Sequence, residues 1–414
     1  MTRLHRVDGR LFLEEVPLRD MAARYGTPLY VYSSAALTEA YQAYDHALFG
    51  LSHEICYAVK ANSSLAILQH FARLGAGFDI VSGGELTRVL AAGGGAATIV
   101  FSGVGKTEAE MRQALQVGIR CFNVESQSEL RRLNRVAGDL GKLASISLRV
   151  NPDVDPRTHP YISTGLKENK FGVSIAEAHG LYRAAAALPN IRVTGVDCHI
   201  GSQMVDLRPL GDALDRVLDL VNGLEADGIR LQHIDVGGGM GIRYQAELPP
   251  DMATYGAMLR ERMAGRRETL MVEPGRSLVG NAGILLARVE YLKPGETKNF
   301  AVVDAAMNDL MRPALYDAFH DIQPEVDRKE PRSRYDVVGP VCETGDFIGL
   351  DRDLSLQEGD LIAVLSAGAY GMSMSSNYNS RPRAAEVMVN KNKDYLIRER
   401  ETIDQMMSGE RLIY

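Results

Sequence analysis

Short apolar runs recur along the first two thirds of the chain, and segments with helical spacing separate them. The runs have no helical period and end at small or polar residues, which is typical of buried parallel strands. Eight strands are predicted in this way: Ile55–Val59, Phe78–Val81, Thr98–Phe101, Arg120–Val124, Ile146–Val150, Val193–Cys198, His233–Val236 and Leu270–Val272. The helices predicted between them include Leu65–Leu74, Gly84–Ala92, Glu108–Val117, Ser126–Leu140 and Leu207–Leu224.

Eight strand–helix alternations predict an α/β fold with a closed (β/α)8 barrel of the TIM type, and an open doubly wound sheet is the alternative. The barrel is assigned to residues 34–280, roughly 250 residues, the usual size of such a barrel. After residue 280 the apolar runs become short and alternating, and Gly, Pro and Asp separate them. Residues 281–414, together with 1–33, therefore predict an antiparallel β-sandwich or β-barrel domain.

Composition changes this picture little. Hydrophobic residues make up 45% and charged residues 24% of the chain, as in ordinary globular proteins. The formal net charge of −7 argues against nucleic acid or an anionic membrane as the main partner. No apolar run approaches the length of a membrane span and the polar start has no signal-peptide core, so a cytoplasmic protein is expected.

The cysteines divide into two groups. Cys56, Cys121 and Cys198 lie in predicted strands, where reduced thiols pack as small hydrophobic side chains. Cys342 lies instead on a loop flanked by Gly and Pro. There is no CxxC pair or His/Cys cluster, so no metal is predicted.

Chemically useful residues follow several predicted strands. Lys60 follows the first strand, Ser82 the second, His199 the sixth, Gly237–Gly239 the seventh and Glu273–Arg276 the eighth. In a (β/α)8 barrel the active site lies where the carboxyl ends of the strands meet. Apolar surroundings there would desolvate Lys60 and favour an imine-forming amine, although a lysine that merely extends to solvent remains the alternative.

The glycine-rich loop and the residues after the eighth strand suit a phosphate. Glycines expose backbone N–H groups without a Cβ in the way, and the loops after strands seven and eight form the usual phosphate corner of this barrel. A simple tight turn is the alternative for Gly237–Gly239. A Schiff-base lysine opposite a phosphate site predicts pyridoxal 5′-phosphate as cofactor.

Two more side chains fit that cofactor. Glu273, facing the pyridine nitrogen, would keep it protonated and make the ring a strong electron sink. A salt bridge from Glu273 to a neighbouring arginine is the alternative. His199 would stack on the ring face, unless it is only a hydrogen-bonded histidine at a strand end.

The chain resembles the fold-type III pyridoxal-phosphate decarboxylases, which share their barrel with alanine racemase. The resemblance runs almost end to end and rests on four motifs: Tyr57–Asn62 (YAVKAN), His199–Gln203 (HIGSQ), Gly237–Gly239 and Glu273–Arg276 (EPGR). It implies that Ser82, Ser202, His199, Pro274 and Gly275 contact the cofactor together with Lys60, Glu273 and Arg276.

Three further segments are similar to those of the diaminopimelate decarboxylase branch: Ser163–Gly172, Gly339–Asp346 and Ala367–Met372. Ornithine-specific relatives typically have an aspartate where this chain has Glu343. The expected reaction is therefore decarboxylation of meso-2,6-diaminopimelate to L-lysine, a small-molecule amino-acid reaction that ends lysine biosynthesis.

The resemblance also implies residue roles at the far end of this substrate. Arg276 and Arg312 match positions that bind the distal carboxylate, for which a guanidinium fork is suited. Tyr316 lies one helical turn beyond Arg312. Glu343 matches the residue that binds the distal ammonium. A substrate without the distal carboxylate would leave buried arginine charge unpaired, which disfavours it strongly.

The resemblance implies a shared active site in a homodimer. Cys342 would reprotonate Cα after carbon dioxide leaves, on a loop that reaches the partner subunit's barrel. Tyr370 would contact the cofactor phosphate and the substrate, with β-domain packing as its alternative role.

Other functions remain open at this point. A decarboxylase for D-lysine, D-arginine or a carboxylated polyamine keeps the fold and changes the substrate. A catalytically silent, cofactor-binding or partner-inhibiting homologue is the non-enzymatic alternative, and racemase activity is disfavoured by Glu273. Retention of both Lys60 and Cys342 argues against the silent homologue.

Overall fold

The computed structural model describes residues 3–155 and 170–414. By internal contacts the chain divides into two compact units. The barrel unit comprises Tyr41–Ile242 and Leu248–Ser277, and the β unit comprises Met1–Ala40, Arg243–Glu247 and Leu278–Tyr414. The domain boundaries expected from the sequence, 34–280 and 1–33 with 281–414, stay a prediction.

The strands that precede the barrel and those of the barrel itself are numbered in chain order. The first four belong to the β unit: β1 Leu4–Val7, β2 Arg10–Leu13, β3 Val16–Pro17 and β4 Leu29–Ser33. The strands of the barrel unit are β5 His53–Ala58, β6 Gly77–Ile80, β7 Ile99–Phe101, β8 Cys121–Val124, β9 Ala144–Asn151, β10 Val173–Ser174, β11 Ile191–Asp197, β12 His233–Asp235 and β13 Thr269–Val272.

Within the described residues the barrel closes on itself. Strands β5 to β9 and β11 to β13 pair in parallel with their neighbours, and β13 pairs with β5 through Leu270↔His53 and Val272↔Ile55. The two-residue strand β10 adds to β9 outside this ring. The predicted (β/α)8 barrel is therefore confirmed, and the open doubly wound sheet is excluded because such a sheet has two edges.

Helices follow the barrel strands as predicted. Those N-terminal to them or alternating with them are α1 Leu18–Tyr25, α2 Ser34–Ala47, α3 Leu65–Arg73, α4 Gly83–Ala91, α5 Glu108–Val117, α6 Gln127–Asp139, α7 Ile175–Ala186, α8 Arg208–Ala226, α9 Met252–Arg262 and α10 Arg276–Val279. Several of these helices begin at a capping residue whose side chain accepts a hydrogen bond from a backbone N–H group of the first turn. Thr107 and Glu110 form a reciprocal capping box at α5, and Ser126 caps α6.

The β unit contains a mixed sheet. Its remaining elements are β14 Gly283–Lys293, β15 Asn299–Val303, α11 Arg312–Tyr316, β16 Ile322–Pro324, β17 Ser333–Val338, β18 Phe347–Leu354, β19 Leu361–Val364, β20 Ala385–Asn390, β21 Lys393–Arg398 and α12 Ile403–Met407. Most pairings are antiparallel, as expected from the alternating apolar runs, but β15 with β17 and β4 with β20 are parallel.

The chain begins with a small sheet of β1, β2 and β3. Asp8 and Gly9 connect β1 to β2, and Val7 pairs with Arg10 across this two-residue turn. Both turn residues have positive φ, 49° for Asp8 and 75° for Gly9, as this kind of hairpin requires. Strand β4, by contrast, joins the large sheet between β14 and β20.

None of the helices in the described residues is both long enough and apolar enough to span a bilayer.

Candidate active site

Lys60 lies just beyond the end of β5, in a short 3₁₀ turn formed by Val59–Ala61. Its Nζ donates to Oδ2 of Asp79 at 2.5 Å, and its side chain is 40% exposed, whereas Asp79 is fully buried. The sequence predicted a lysine desolvated by apolar walls. The prediction of an apolar environment is wrong, because the Lys60 amine is partly exposed and forms an ion pair with the Asp79 carboxylate.

Three carboxylates from neighbouring strands crowd together at the carboxyl end of the barrel. Asp197 ends β11, Asp235 ends β12 and Glu273 follows β13, and one oxygen from each lies within 4.8 Å of the others. All three residues are buried. Asp197 Oδ1 and Asp235 Oδ2 accept no hydrogen bond within the described part of the chain.

This crowding controls their ionisation. Burial, followed by the negative charge of neighbouring carboxylates, raises the pKa of Glu273 and that of Asp197 well above their ordinary values. Burial also raises the pKa of Asp235 to about 7. Because like charges at this spacing cannot all be ionised, the cluster holds protons at neutral pH. The spacing also resembles a cation site, but the absence of a metal stays a prediction.

Glu273 has a defined orientation. Asn123 Nδ2 donates to its Oε1 at 3.4 Å, and Asn123 in turn donates to Ser102 Oγ at 3.0 Å. Ser147 Oγ donates to Asn123 Oδ1 at 2.5 Å. A salt bridge from Glu273 to a nearby arginine, the alternative left open by the sequence, is not among the ion pairs of the described residues.

His199 follows β11 and is held in one tautomer. The backbone N–H of Gly238 donates to its Nδ1 at 3.2 Å, so the proton of the neutral ring is on Nε2. Burial, with the positive charges of Arg149 and Lys60, lowers the pKa of His199 well below its ordinary value. The imidazole is therefore uncharged at neutral pH.

The glycine loop after β12 is tightly packed. A Cβ on Gly238 would lie 2.3 Å from the carbonyl oxygen of Glu273, and one on Gly239 would lie 2.4 Å from that of Gly201. Gly239 also has φ of 103°, which L side chains rarely adopt. Gly237 and Gly238 donate their N–H groups to Asp235 and His199, at 2.8 and 3.2 Å. The N–H groups of Gly237 and Gly238 therefore already have acceptors within the protein, so the loop offers fewer N–H groups to a phosphate than its sequence suggests.

Arg276, which lies in the segment after β13, contacts Ser202, which lies in the segment after β11. Arg276 Nε and Nη2 donate to Ser202 Oγ at 3.3 and 3.1 Å, and Arg276 is buried. Pro274 and Gly275 connect this arginine to Glu273, and Pro274 O accepts from the Ala58 N–H at 3.1 Å. Ser82 instead caps α4, where its Oγ accepts from the Glu85 N–H at 3.2 Å.

The β unit carries the other predicted residues. Arg312 begins α11 and is buried, and Tyr316 ends the same helix four positions later, half-buried. The Arg312 guanidinium lies 4.7 Å above the ring of Tyr244, and its Nη1 is 2.9 Å from Nε2 of His320. Tyr370 is partly exposed and has φ of 57°, a conformation that is uncommon outside glycine.

Cys342 and Glu343 occupy an exposed loop of the β unit, between β17 and β18. Buried Asp346 fixes this loop, because its carboxylate accepts from the N–H groups of Val341 at 2.7 Å and Met307 at 2.6 Å. Glu343 accepts a hydrogen bond from the Tyr378 hydroxyl at 2.5 Å. The other three cysteines are free and buried, which confirms their predicted core positions.

Sequence reasoning missed the polar residues inside the barrel strands. Asp79, Asn123, Arg149, Asp197 and Asp235 each lie within or at the end of a barrel strand, and all five are buried. For Asp79 and Asn123, a single polar residue in an otherwise apolar strand was the available signal, since a buried polar group needs a partner or a function. His320, Tyr244 and Tyr378 were missed because their contacts with Arg312 and Glu343 join separate segments of the β unit, which no local sequence pattern marks.

A family model described as "Pyridoxal-dependent decarboxylase, pyridoxal binding domain" matches residues 34–280. The chain is 59% identical to diaminopimelate decarboxylase of Vibrio cholerae and 60% identical to that of Pseudomonas aeruginosa, covering 98% of both chains in each case. It is also similar to the crystal structure of diaminopimelate decarboxylase from Helicobacter pylori complexed with L-lysine. There the TM-score is 0.91 and the identity 43%, over 94% of this chain and 98% of that one.

The Ser163–Gly172 segment, one of the three that narrowed the resemblance, lies largely outside the described residues. Only Lys170, Phe171 and Gly172 can be placed. The Gly172 N–H donates to Oε2 of Glu125 at 3.0 Å, and the Arg149 guanidinium lies 4.8 Å from the ring of Phe171.

Proposed function

Because the chain belongs to the diaminopimelate decarboxylase family of pyridoxal-dependent decarboxylases, we propose that it decarboxylates meso-2,6-diaminopimelate at the D-centre to give L-lysine. Identity of 59% over 98% of the chain is the observation that carries this proposal. The L-lysine in the Helicobacter pylori structure is the product that such a reaction would release.

The cofactor assigned to this chain is pyridoxal 5′-phosphate. The described residues fit it, since an amine, a buried carboxyl and a closely packed glycine loop follow neighbouring strands of one barrel. When bound, this cofactor withdraws electrons from the substrate's Cα and so weakens the bond to the departing carboxylate. Lys60 would hold its aldehyde carbon and Glu273 its ring nitrogen.

Glu273 is suited to a cationic ring nitrogen. Burial and neighbouring carboxylates raise its pKa in the protein alone, and a cation placed beside it would favour its ionised form. Asn123 already directs its Oε1. His199, uncharged and fixed by Gly238, offers a planar face for stacking without adding positive charge.

The phosphate contacts are assigned to the backbone of Gly239 and Gly275, with Arg276, Ser202 and Tyr370. Gly237 and Gly238 contribute by shape, since their N–H groups already have partners. Ser82 is assigned through its position at the start of α4.

The substrate contacts are assigned by charge. Arg276 and Arg312 would bind the distal carboxylate, with Tyr316 and Tyr370 beside them, and Glu343 would bind the distal ammonium. Tyr378 donates a hydrogen bond to Glu343 and so directs its carboxylate. Cys342, exposed on the loop that Asp346 fixes, would deliver a proton to Cα after carbon dioxide leaves.

A homodimer with shared active sites completes the proposal, with Cys342 and Glu343 supplied by the partner chain. The family resemblance supports this arrangement, as does the position of both residues on an exposed loop. A cytoplasmic location stays a prediction.

One assay tests the function directly. Purified protein with pyridoxal 5′-phosphate is incubated separately with meso-diaminopimelate, ornithine and D-lysine, and carbon dioxide release is measured. We expect release from meso-diaminopimelate at least about a hundredfold faster than from the other two, because they lack the distal carboxylate. Preference for D-lysine or ornithine would support the related-decarboxylase alternative, and no release from any substrate would support the silent homologue.

A further inference from the structure

Arg312 contacts an uncharged acceptor inside the β unit. Its Nη1 lies 2.9 Å from Nε2 of His320, and both side chains are buried. A guanidinium can only donate hydrogen bonds, so His320 Nε2 must be the acceptor. This contact therefore directs the Arg312 guanidinium without itself placing a negative charge beside it, as a carboxylate would.

The tautomer of His320 is fixed from its other side. Its Nδ1 lies 2.8 Å from the carbonyl oxygen of Leu365, which can only accept. Nδ1 therefore carries the proton, and Nε2 has a lone pair for Arg312. Leu365 directly follows β19, which pairs with β16 just after His320, so the sheet itself sets the distance between these two groups.

The ring of Tyr244 supports the same pair. It lies edge-on to the His320 ring, with centroids 5.3 Å apart, and its face lies 4.7 Å from the Arg312 guanidinium. A cation above an aromatic face is attracted to it while keeping its charge. Arg312 thus has an imidazole and a phenol ring on two sides.

From this geometry we propose that His320 is a positioning residue for substrate specificity, which aims Arg312 at a carboxylate on the bound amino acid. The proposal rests on the proposed function, in which that group is the distal carboxylate. In this role His320 acts on the bound amino acid through Arg312. Ligands that carry the distal carboxylate should therefore depend on His320, and ligands that lack it should not.

Two substitutions separate the two bonds of His320. His320→Asn places an amide donor near Nδ1 and keeps the bond to Leu365 O, but removes the acceptor for Arg312. His320→Gln places a carbonyl near Nε2 and keeps the acceptor for Arg312, but removes the donor to Leu365. A merely structural histidine would be sensitive to both changes alike.

The readout is ligand binding to the cofactor-loaded enzyme by calorimetry. L-Lysine carries the carboxylate in question, and cadaverine is the same molecule without it. We expect His320→Asn to weaken L-lysine binding about tenfold and to leave cadaverine within about twofold, because an aligned charged hydrogen bond is lost. His320→Gln should keep most of the L-lysine affinity. The thermal unfolding midpoint of each variant serves as the folding control.

A double-mutant cycle with Arg312→Ala makes the test decisive. If His320 acts through Arg312, His320→Asn causes no further loss of L-lysine affinity in the Arg312→Ala background. Additive losses, equal losses in the Asn and Gln variants, or equal effects on cadaverine would overturn the proposal. The wild-type enzyme reports separately on the proposed function, since failure to prefer L-lysine over cadaverine would contradict that function and not the role of His320.

Discussion

The barrel unit and the β unit hold their functional side chains by different means. In the barrel unit, Asp197, Asp235 and Glu273 lie within 4.8 Å of one another, and burial with mutual repulsion keeps protons on them. In the β unit, Arg312 and Glu343 contact the uncharged groups of His320 and Tyr378. The barrel unit thus sets the ionisation of its carboxyl groups, whereas the β unit sets the orientation of its charged side chains.

The difference follows from what each unit is proposed to bind. A cofactor that brings a cationic ring nitrogen can relieve the repulsion among buried carboxylates, so the barrel gains from being crowded with them. A substrate with its own carboxylate and ammonium needs side chains that keep full charge. Uncharged supports provide this, because they orient without neutralising.

The largest expected effect comes from removing the amine that faces the barrel carboxylates. Lys60→Ala should reduce kcat by at least about a thousandfold, because the group assigned to hold the cofactor's aldehyde is lost. It should also abolish the borohydride-reducible link between protein and cofactor, which mass spectrometry of a tryptic digest detects. Lys298→Ala, a change to an exposed lysine paired with Asp336 in the β unit, is the control and should retain full activity. A reduced link persisting in Lys60→Ala would contradict the assignment.

The next largest effect tests the exposed loop of the β unit. Cys342→Ala should lower kcat by about a hundredfold or more, because the proposed proton donor is absent, while L-lysine affinity changes little. Turnover and calorimetric binding measure the two effects separately. An equal loss in binding would assign Cys342 a substrate contact instead of proton transfer.

Mixing two inactive variants shows whether the loop serves the partner chain. In dimers of Lys60→Ala with Cys342→Ala, one of the two shared sites would have both residues intact. Random exchange then predicts recovery of about a quarter of wild-type activity. No recovery, once exchange has been demonstrated by fluorescence, would place both residues in one chain.

The smallest effect concerns the ionisation of the barrel carboxylates. The pKa of Asp235 is raised to about 7 in the folded protein, above its ordinary value of 3.8. The folded state therefore binds more protons than the unfolded state between about pH 4 and pH 7, and this contribution to stability is lost as the pH rises through that window. As the pH rises from about 4 to about 7, the denaturation midpoint of the cofactor-free protein should fall. Asp235→Asn, which keeps an acceptor for the Gly237 N–H, should make this fall smaller.

A carboxylate of opposite behaviour provides the control. Hydrogen bonding to Arg183 lowers the pKa of the exposed Asp227, so its contribution is lost as the pH falls. Asp227→Asn should reduce stability slightly near neutral pH and leave the fall from pH 4 to 7 in place. If Asp235→Asn behaved in the same way, the raised pKa of Asp235 in the folded barrel would be contradicted.

The barrel was accessible from sequence because its signals are local. Each strand coincides with a short run rich in apolar residues, and the helix Glu108–Val117, predicted residue for residue, is bounded by the Thr107 cap and by Gly118. The positions of Glu273, His199 and Arg276 followed from strand order alone. The surroundings of Lys60 did not, because the ion pair with Asp79 joins two different strands.

The β unit was less predictable. The parallel pairings of β15 with β17 and β4 with β20 join segments that are not adjacent in sequence, and no local pattern specifies them. Four of the six residues of β21 are exposed, and the charged residues Asp351–Asp353 interrupt β18, so neither strand has a regular alternation of apolar and polar residues. The β1–β2 hairpin was predictable in principle, since Asp8–Gly9 is a strong turn signal that was overlooked.

The place of β4 in the β unit has a consequence for the order of synthesis. Leu29–Ser33 is synthesised well before both of its partners, β14 on one side and Ala385–Asn390 on the other. Until Ala385–Asn390 leaves the ribosome, this fully buried strand has an unpaired edge. The unit therefore completes its sheet only after residue 390 has emerged, and any nascent chain stalled before residue 385 presents an edge open to aggregation.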